Sequence, residues 1–190
     1  MKHLKTLGLF VMAAASLAFA GSASAATFTS PTGTAYTGTF DATLEGSSLF
    51  EAGFANITCT GTAIHGTLTT NNDTHAALDI TQVKHEQCGS ATFDTLNNNG
   101  TLTIAKSTTA VTGTGTEVTT SMFGTSCVYG FGGTPTALGT ASNTVTSGVD
   151  KVTLKISAKL PKISGGFLCA SPASWTASFI VTTPTTSYVH

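Results

Sequence analysis

The chain contains no arginine, and only 9% of its 190 residues are charged, against about 25% in an average soluble domain. Beyond residue 25, six lysines face nine acids, leaving the chain mildly acidic. No basic stripe exists, and the forked donor that binds phosphates and base edges is missing altogether. Nucleic acid is therefore excluded as a partner. After residue 25 no run approaches the ~18 consecutive apolar residues of a spanning helix, so no transmembrane segment is expected. There is no C-x-x-C pair and no close histidine pair, so no metal or other cofactor is expected. No G-x-S-x-G elbow marks a nucleophile. Helical periodicity is also missing after residue 25.

The first 25 residues have a different character. Lys2, His3 and Lys5 make a cationic head, Leu7 to Ala20 is an uncharged apolar run, and Ala23-Ser24-Ala25 is an A-x-A cleavage pattern. Residues 1–25 read as a secretory signal peptide and 26–190 as the mature domain. No cysteine sits at the cleavage site to carry a lipid, and Thr182 to His190 holds neither an apolar tail nor a basic cluster. The expected location is secreted and extracellular, with the periplasm or the cell surface as alternatives.

Threonine supplies the polarity that charge does not: 39 residues, a fifth of the chain. Its branched Cβ suits a pleated surface, and its hydroxyl keeps an outer face wet. An ice- or sugar-binding threonine ladder would need a fixed spacing, and none is found. The dominant period is two. Tyr36, Gly38, Phe40, Ala42 and Leu44 alternate with polar residues, as do Val152 to Leu160 and Trp175 to Val181. Shorter candidate strands are Ile57–Thr62, Ala77–Val83, Thr101–Ala105, Glu117–Thr120 and Cys127–Phe131. Asn71-Asn72-Asp73, Asn97 to Gly100, Gly132-Gly133, Ser147-Gly148 and Gly165-Gly166 supply turns between them. One wet face and one dry face over about ten short strands predict an all-β, disulfide-stabilised antiparallel β-sandwich. Cysteine and strand order repeat weakly, suggesting two similar β-units, 26–99 and 100–190.

Four cysteines allow three connectivities. In an oxidising compartment they read as structural disulfides, and the half-chain pattern favours Cys59–Cys88 and Cys127–Cys169.

Four groups of residues could carry chemistry. His65, His75 and His85 lie ten residues apart, a spacing that suits solvated histidines better than a metal site. Asp41 and Glu45 share a strand face among threonines, which reads as wet surface and not as a glycosidase pair. Lys151, Lys155 and Lys159 lie on one side of one strand, with Lys162 just beyond, as a solvated face, an edge guard, or a contact for anionic glycan or lipid. Several aromatics fall in or beside glycine-rich loops. Phe123, Phe131, Phe167 and Leu168 are the candidate apolar-surface residues, with Phe50, Phe54, Met122 and Trp175 nearby in type. Such groups either pack over an end of the fold or form an exposed patch.

The opening Ala26-Thr27-Phe28-Thr29-Ser30-Pro31 through Thr34 to Gly38, with Ile57-Thr58-Cys59-Thr60, resembles small secreted alkane-oxidation activators of the PraA/PraB type. Cys127-Val128-Tyr129-Gly130, Cys169, Ser174-Trp175-Thr176, Val181 to Pro184 and Tyr188-Val189 resemble secreted bacterial β proteins of similar build. The resemblance implies a bacterial accessory protein that aids growth on long-chain hydrocarbons by acting at the oil–water surface. It brings no catalytic residues. The expected partners are a hydrocarbon or lipid surface; the alternative is a cell-surface or matrix protein self-associating through strand edges.

Overall fold

The computed structural model describes residues 27–30, 32–53, 56–98 and 100–190. The predicted signal peptide, Phe54 and the side chain of Met122 lie outside the described residues. In chain order the strands are β1 (Phe28–Thr29), β2 (Gly38–Leu44), β3 (Ser48–Gly53), β4 (Asn56–Cys59), β5 (Gly61–Asn71), β6 (His75–Glu86), β7 (Thr92–Asn98) and β8 (Thr101–Ala105). They continue as β9 (Ala110–Thr114), β10 (Glu117–Met122), β11 (Thr125–Gly130), β12 (Thr136–Thr146), β13 (Val149–Leu160), β14 (Lys162–Gly165), β15 (Cys169–Thr183) and β16 (Tyr188–Val189). Among the described residues there is no helix.

The expected all-β class holds, but the expected sandwich does not. Strands β2, β5, β6, β8, β9, β12, β13 and β15 pair antiparallel in that order, and β15 pairs with both β13 and β2. The sheet thus closes on itself as an eight-stranded up-and-down barrel. A sandwich and a barrel share the same in–out alternation; the pairing of first with last strand separates them, and alternation does not encode it. Strands from residues 26–99 and from 100–190 share this one barrel. Register shifts in the β5–β6, β9–β12 and β2–β15 pairs coil the sheet toward closure. At one of them Gly139 is required, because a Cβ there would lie 1.8 Å from the Lys155 carbonyl oxygen.

The barrel is filled. Phe40, Ile64, Leu78, Ile104, Leu154 and Phe179 point inward and are buried, as the narrow interior of eight strands requires. Outward positions are mostly polar, with Val145 and Val149 beside the β12–β13 turn as exposed apolar exceptions. Thr39, Thr67, Asp79, Thr101 and Thr114 form one cross-strand row over five strands. This is the reverse of the apolar outer band of a membrane barrel.

The connections alternate in length. Tight turns join β5 to β6, β8 to β9 and β12 to β13, whereas β3–β4, β7, β10–β11 and β14 are inserted in the other four. In an up-and-down barrel, alternate connections lie at the same end. All the inserted strands therefore gather at one end, where β14, β11, β10 and β7 form a four-stranded sheet and β3–β4 lie along the first half of β15. The opposite end is closed by β1 paired with β16. Two asparagines replace missing ladder bonds there. Asn71 exchanges hydrogen bonds with the Phe28 backbone and donates to the Tyr36 carbonyl, 2.8 Å. Asn143 donates to the Val189 carbonyl and accepts from its N–H, both 2.8 Å.

Both disulfides form as expected, Cys59–Cys88 and Cys127–Cys169. The first ties the edge strand β4 to the chain leaving β6. The second ties β11 of the small sheet to the first residue of β15. Two such bonds point to an oxidising, non-cytoplasmic compartment.

Candidate functional site

Two of the inserted segments, β10–β11 and β14, end in turns that carry apolar side chains into solvent. Met122 pairs with Thr125, so Phe123-Gly124 is a two-residue hairpin turn, with φ of 49° and 76°. Both values are left-handed, as a type I′ turn demands, and asparagine or glycine is the residue that fits the first position. Phenylalanine there costs about 1 kcal/mol. Its ring recovers none of that by packing, being 81% exposed.

The second apolar turn lies beside the first. Cys127 of β11 is opposite Thr120 of β10 on one side and Gly165 of β14 on the other. Phe123 follows this row by three residues along β10, and Phe167 by two beyond β14. Phe167 is 94% exposed, Leu168 42%, and Ile163 on β14 47%. The Cys127–Cys169 bond locks the two turns together. Three of the four sequence candidates, Phe123, Phe167 and Leu168, thus lie at one tip, the end of the molecule remote from β1 and β16.

Phe131 does not belong to that surface; it is 5% exposed. A Cβ at Gly130 would lie 2.3 Å from the Thr116 carbonyl, so only glycine lets the strands close there. The Phe131 N–H then donates to that same carbonyl, 2.8 Å. This turns the ring inward over Gly113, where the barrel meets the small lobe. The glycine-rich surroundings that suggested a surface loop instead make room for a buried ring.

Below the tip the lobe's interior is aromatic. Phe50 meets Phe93 and Tyr129 edge-on, with centroids 5.6 and 5.4 Å apart. Trp175 donates its indole N–H to Ser48 Oγ, 2.9 Å. The Tyr129 hydroxyl is buried and reaches toward the Ala170 backbone without closing a well-formed bond; burial raises its pKa. His85 stacks on Phe93, and burial lowers its pKa from 6.5 to about 4. A partly open pocket of about 40 Å³ remains among these rings.

The histidine spacing does not create a cluster. His75 and His85 are at opposite ends of β6, about 33 Å apart at ~3.3 Å per residue. His65 is on the barrel's outer face with its Nδ1 2.7 Å from Asp41 Oδ1. That hydrogen bond, seconded by Thr183, holds the Asp41 carboxyl below its usual range. Among the described residues no group of three or more His, Cys, Asp or Glu could hold a metal ion. Lys151, Lys155 and Lys159 do not guard an edge, since β13 is paired with β12 and β15, whereas Lys162 begins β14, an edge strand of the small sheet. Lys159 donates to Ser174 Oγ, and Lys162 to the Cys169 carbonyl. No helix among the described residues is long and apolar enough to cross a membrane.

Comparison with protein-family models, with curated proteins and with solved structures gives no match for this chain.

Proposed function

We propose that this is a secreted, non-enzymatic protein that adsorbs through its tip to an apolar surface, a hydrocarbon phase outside the cell being the expected one. The observation that carries the reading is the exposed pair Phe123 and Phe167 on adjacent turns, with Phe123 held in a backbone conformation that disfavours it. Strain kept without packing gain is a mark of a site under functional demand. A single buried phenylalanine contributes roughly 2–3 kcal/mol, so two rings and Leu168 entering an apolar phase provide ample adsorption energy. The polar threonine faces would remain in water, and the disulfides would hold the fold together at the boundary. The resemblance to alkane-oxidation activators agrees with a hydrocarbon as that surface.

The test is partition of purified protein between buffer and hexadecane droplets. Wild type enriches at the droplets, and Phe123→Asn with Phe167→Ser abolishes the enrichment. Equal partition of wild type and double variant overturns the reading.

A second reading is assembly through strand edges. It is favoured by β4, β7 and β14, each unpaired along one side among the described residues. Concentration-dependent polymers in sedimentation would support it, and a monomer at all concentrations would remove it.

A further inference from the structure

The aromatic pocket stands on a different observation from the tip, because neither Phe123 nor Phe167 lines it. We propose that it is a binding site for the end of a single unbranched apolar chain. The walls include Phe50, His85, Phe93, Tyr129, Phe131 and Trp175, drawn from β3, β6, β7, β11 and β15 and from the residue following β11. Its lining is almost wholly carbon. The polar groups of the rings are turned elsewhere, the Trp175 N–H to Ser48 and the Tyr129 hydroxyl toward Ala170. A bound water needs two to four polar partners, so the site favours an apolar occupant.

Shape narrows the ligand. Native interiors seldom leave a void larger than a water, yet here the edge-on contacts of Phe50 with Phe93 and Tyr129 brace the walls against collapse. The space of about 40 Å³ exceeds that minimum. It is far smaller than the roughly 150 Å³ cavity that accepts a benzene ring. A slim methyl-terminated chain end fits, with the rest of the chain lying outside the opening; a six-membered ring does not. The tip would then bring the protein to an apolar phase, while the pocket would take hold of individual molecules.

The chain's single tryptophan, Trp175, is in the wall and reports occupancy directly. The purified protein is titrated in surfactant-free buffer with 1-hexanol, and separately with cyclohexanol and benzene, reading Trp175 emission and Tm. The expected result is a saturable emission change and a rising Tm with 1-hexanol, with the cyclic compounds at least about tenfold weaker. Val83→Phe and Val118→Phe each place a ring in the pocket and abolish the response, whereas Phe123→Asn leaves it unchanged. The proposal is overturned by no saturable response to 1-hexanol, by equal binding of benzene, or by a natively folded Val83→Phe or Val118→Phe that still responds. If neither variant folds, the contrast between hexanol and benzene on the wild type decides. Droplet adsorption is read separately, through Phe123 and Phe167, so failure of the pocket and failure of the tip give different results.

Discussion

His85 lies face to face with Phe93, ring centroids 4.3 Å apart and planes inclined by 25°, with Trp175 edge-on at 6.2 Å. This packing excludes water from the imidazole and favours its neutral form, lowering the pKa from 6.5 to about 4. The unfolded chain therefore binds this proton more readily than the folded one. Stability is full above about pH 6.5 and is lost as pH falls through the window down to about 4. The loss is about 2 kcal/mol after allowance for the ring's partial exposure. Thermal melts at pH 7 and pH 4.5 should show a fall in wild type that His85→Phe does not share. Asp41 loses its own contribution only at lower pH, below its ordinary 3.8, so the two effects separate.

Replacing Phe123 should uncouple stability from adsorption. Asparagine suits the left-handed position, so Phe123→Asn should stabilise the protein by about 0.5–1 kcal/mol while weakening adsorption to droplets. Denaturant midpoints and partition measured on the same preparation check both. A loss of stability would mean that the ring packs in solution.

The Cys127–Cys169 bond closes a span of 42 residues and joins the small sheet to the barrel. Loop entropy assigns it about 3–4 kcal/mol, equivalent to a Tm decrease of about 10 °C in the paired Cys127→Ala, Cys169→Ala variant. Cys169→Ala alone should lower secreted yield sharply, since it also strands a thiol at Cys127. Unchanged yield and melting would show that the bond contributes nothing to the fold.

Asn143→Ala removes both hydrogen bonds to Val189 and leaves a half-buried carbonyl without its partner. The expected cost is about 1–3 kcal/mol. Hydrogen exchange should accelerate at Tyr188 to His190 first, with the barrel ladder unchanged. Uniform acceleration would mean that the closing pair and the barrel open as one unit.

Strands whose inward residues are large were legible from alternation. Thr101–Ala105 matches β8 end to end, and Val152–Leu160 falls within β13. β12 was not legible, because only Leu138 and Ala141 of its eleven residues are buried and the register against β9 shifts at Leu138. The polar cross-strand row was invisible for a related reason: it runs across strands, through Thr39, Thr67, Asp79, Thr101 and Thr114, not along one. At the candidate site, Phe123 and Phe167 were found by their turn context, and Phe131 was misplaced by the same cue. His85 was missed as a pocket residue, although Val83 and His85 alternate with Lys84 and Glu86. A register shift near Gly66 moves that pair onto the inward face.

The pairing of Phe28 with Val189 sets the first and last described strands side by side, at the base and away from Phe123 and Phe167. A passenger domain fused after His190 would therefore stand clear of any surface that the tip covers. The barrel would then act as a spacer, keeping such a fusion in the aqueous phase while the tip was occupied.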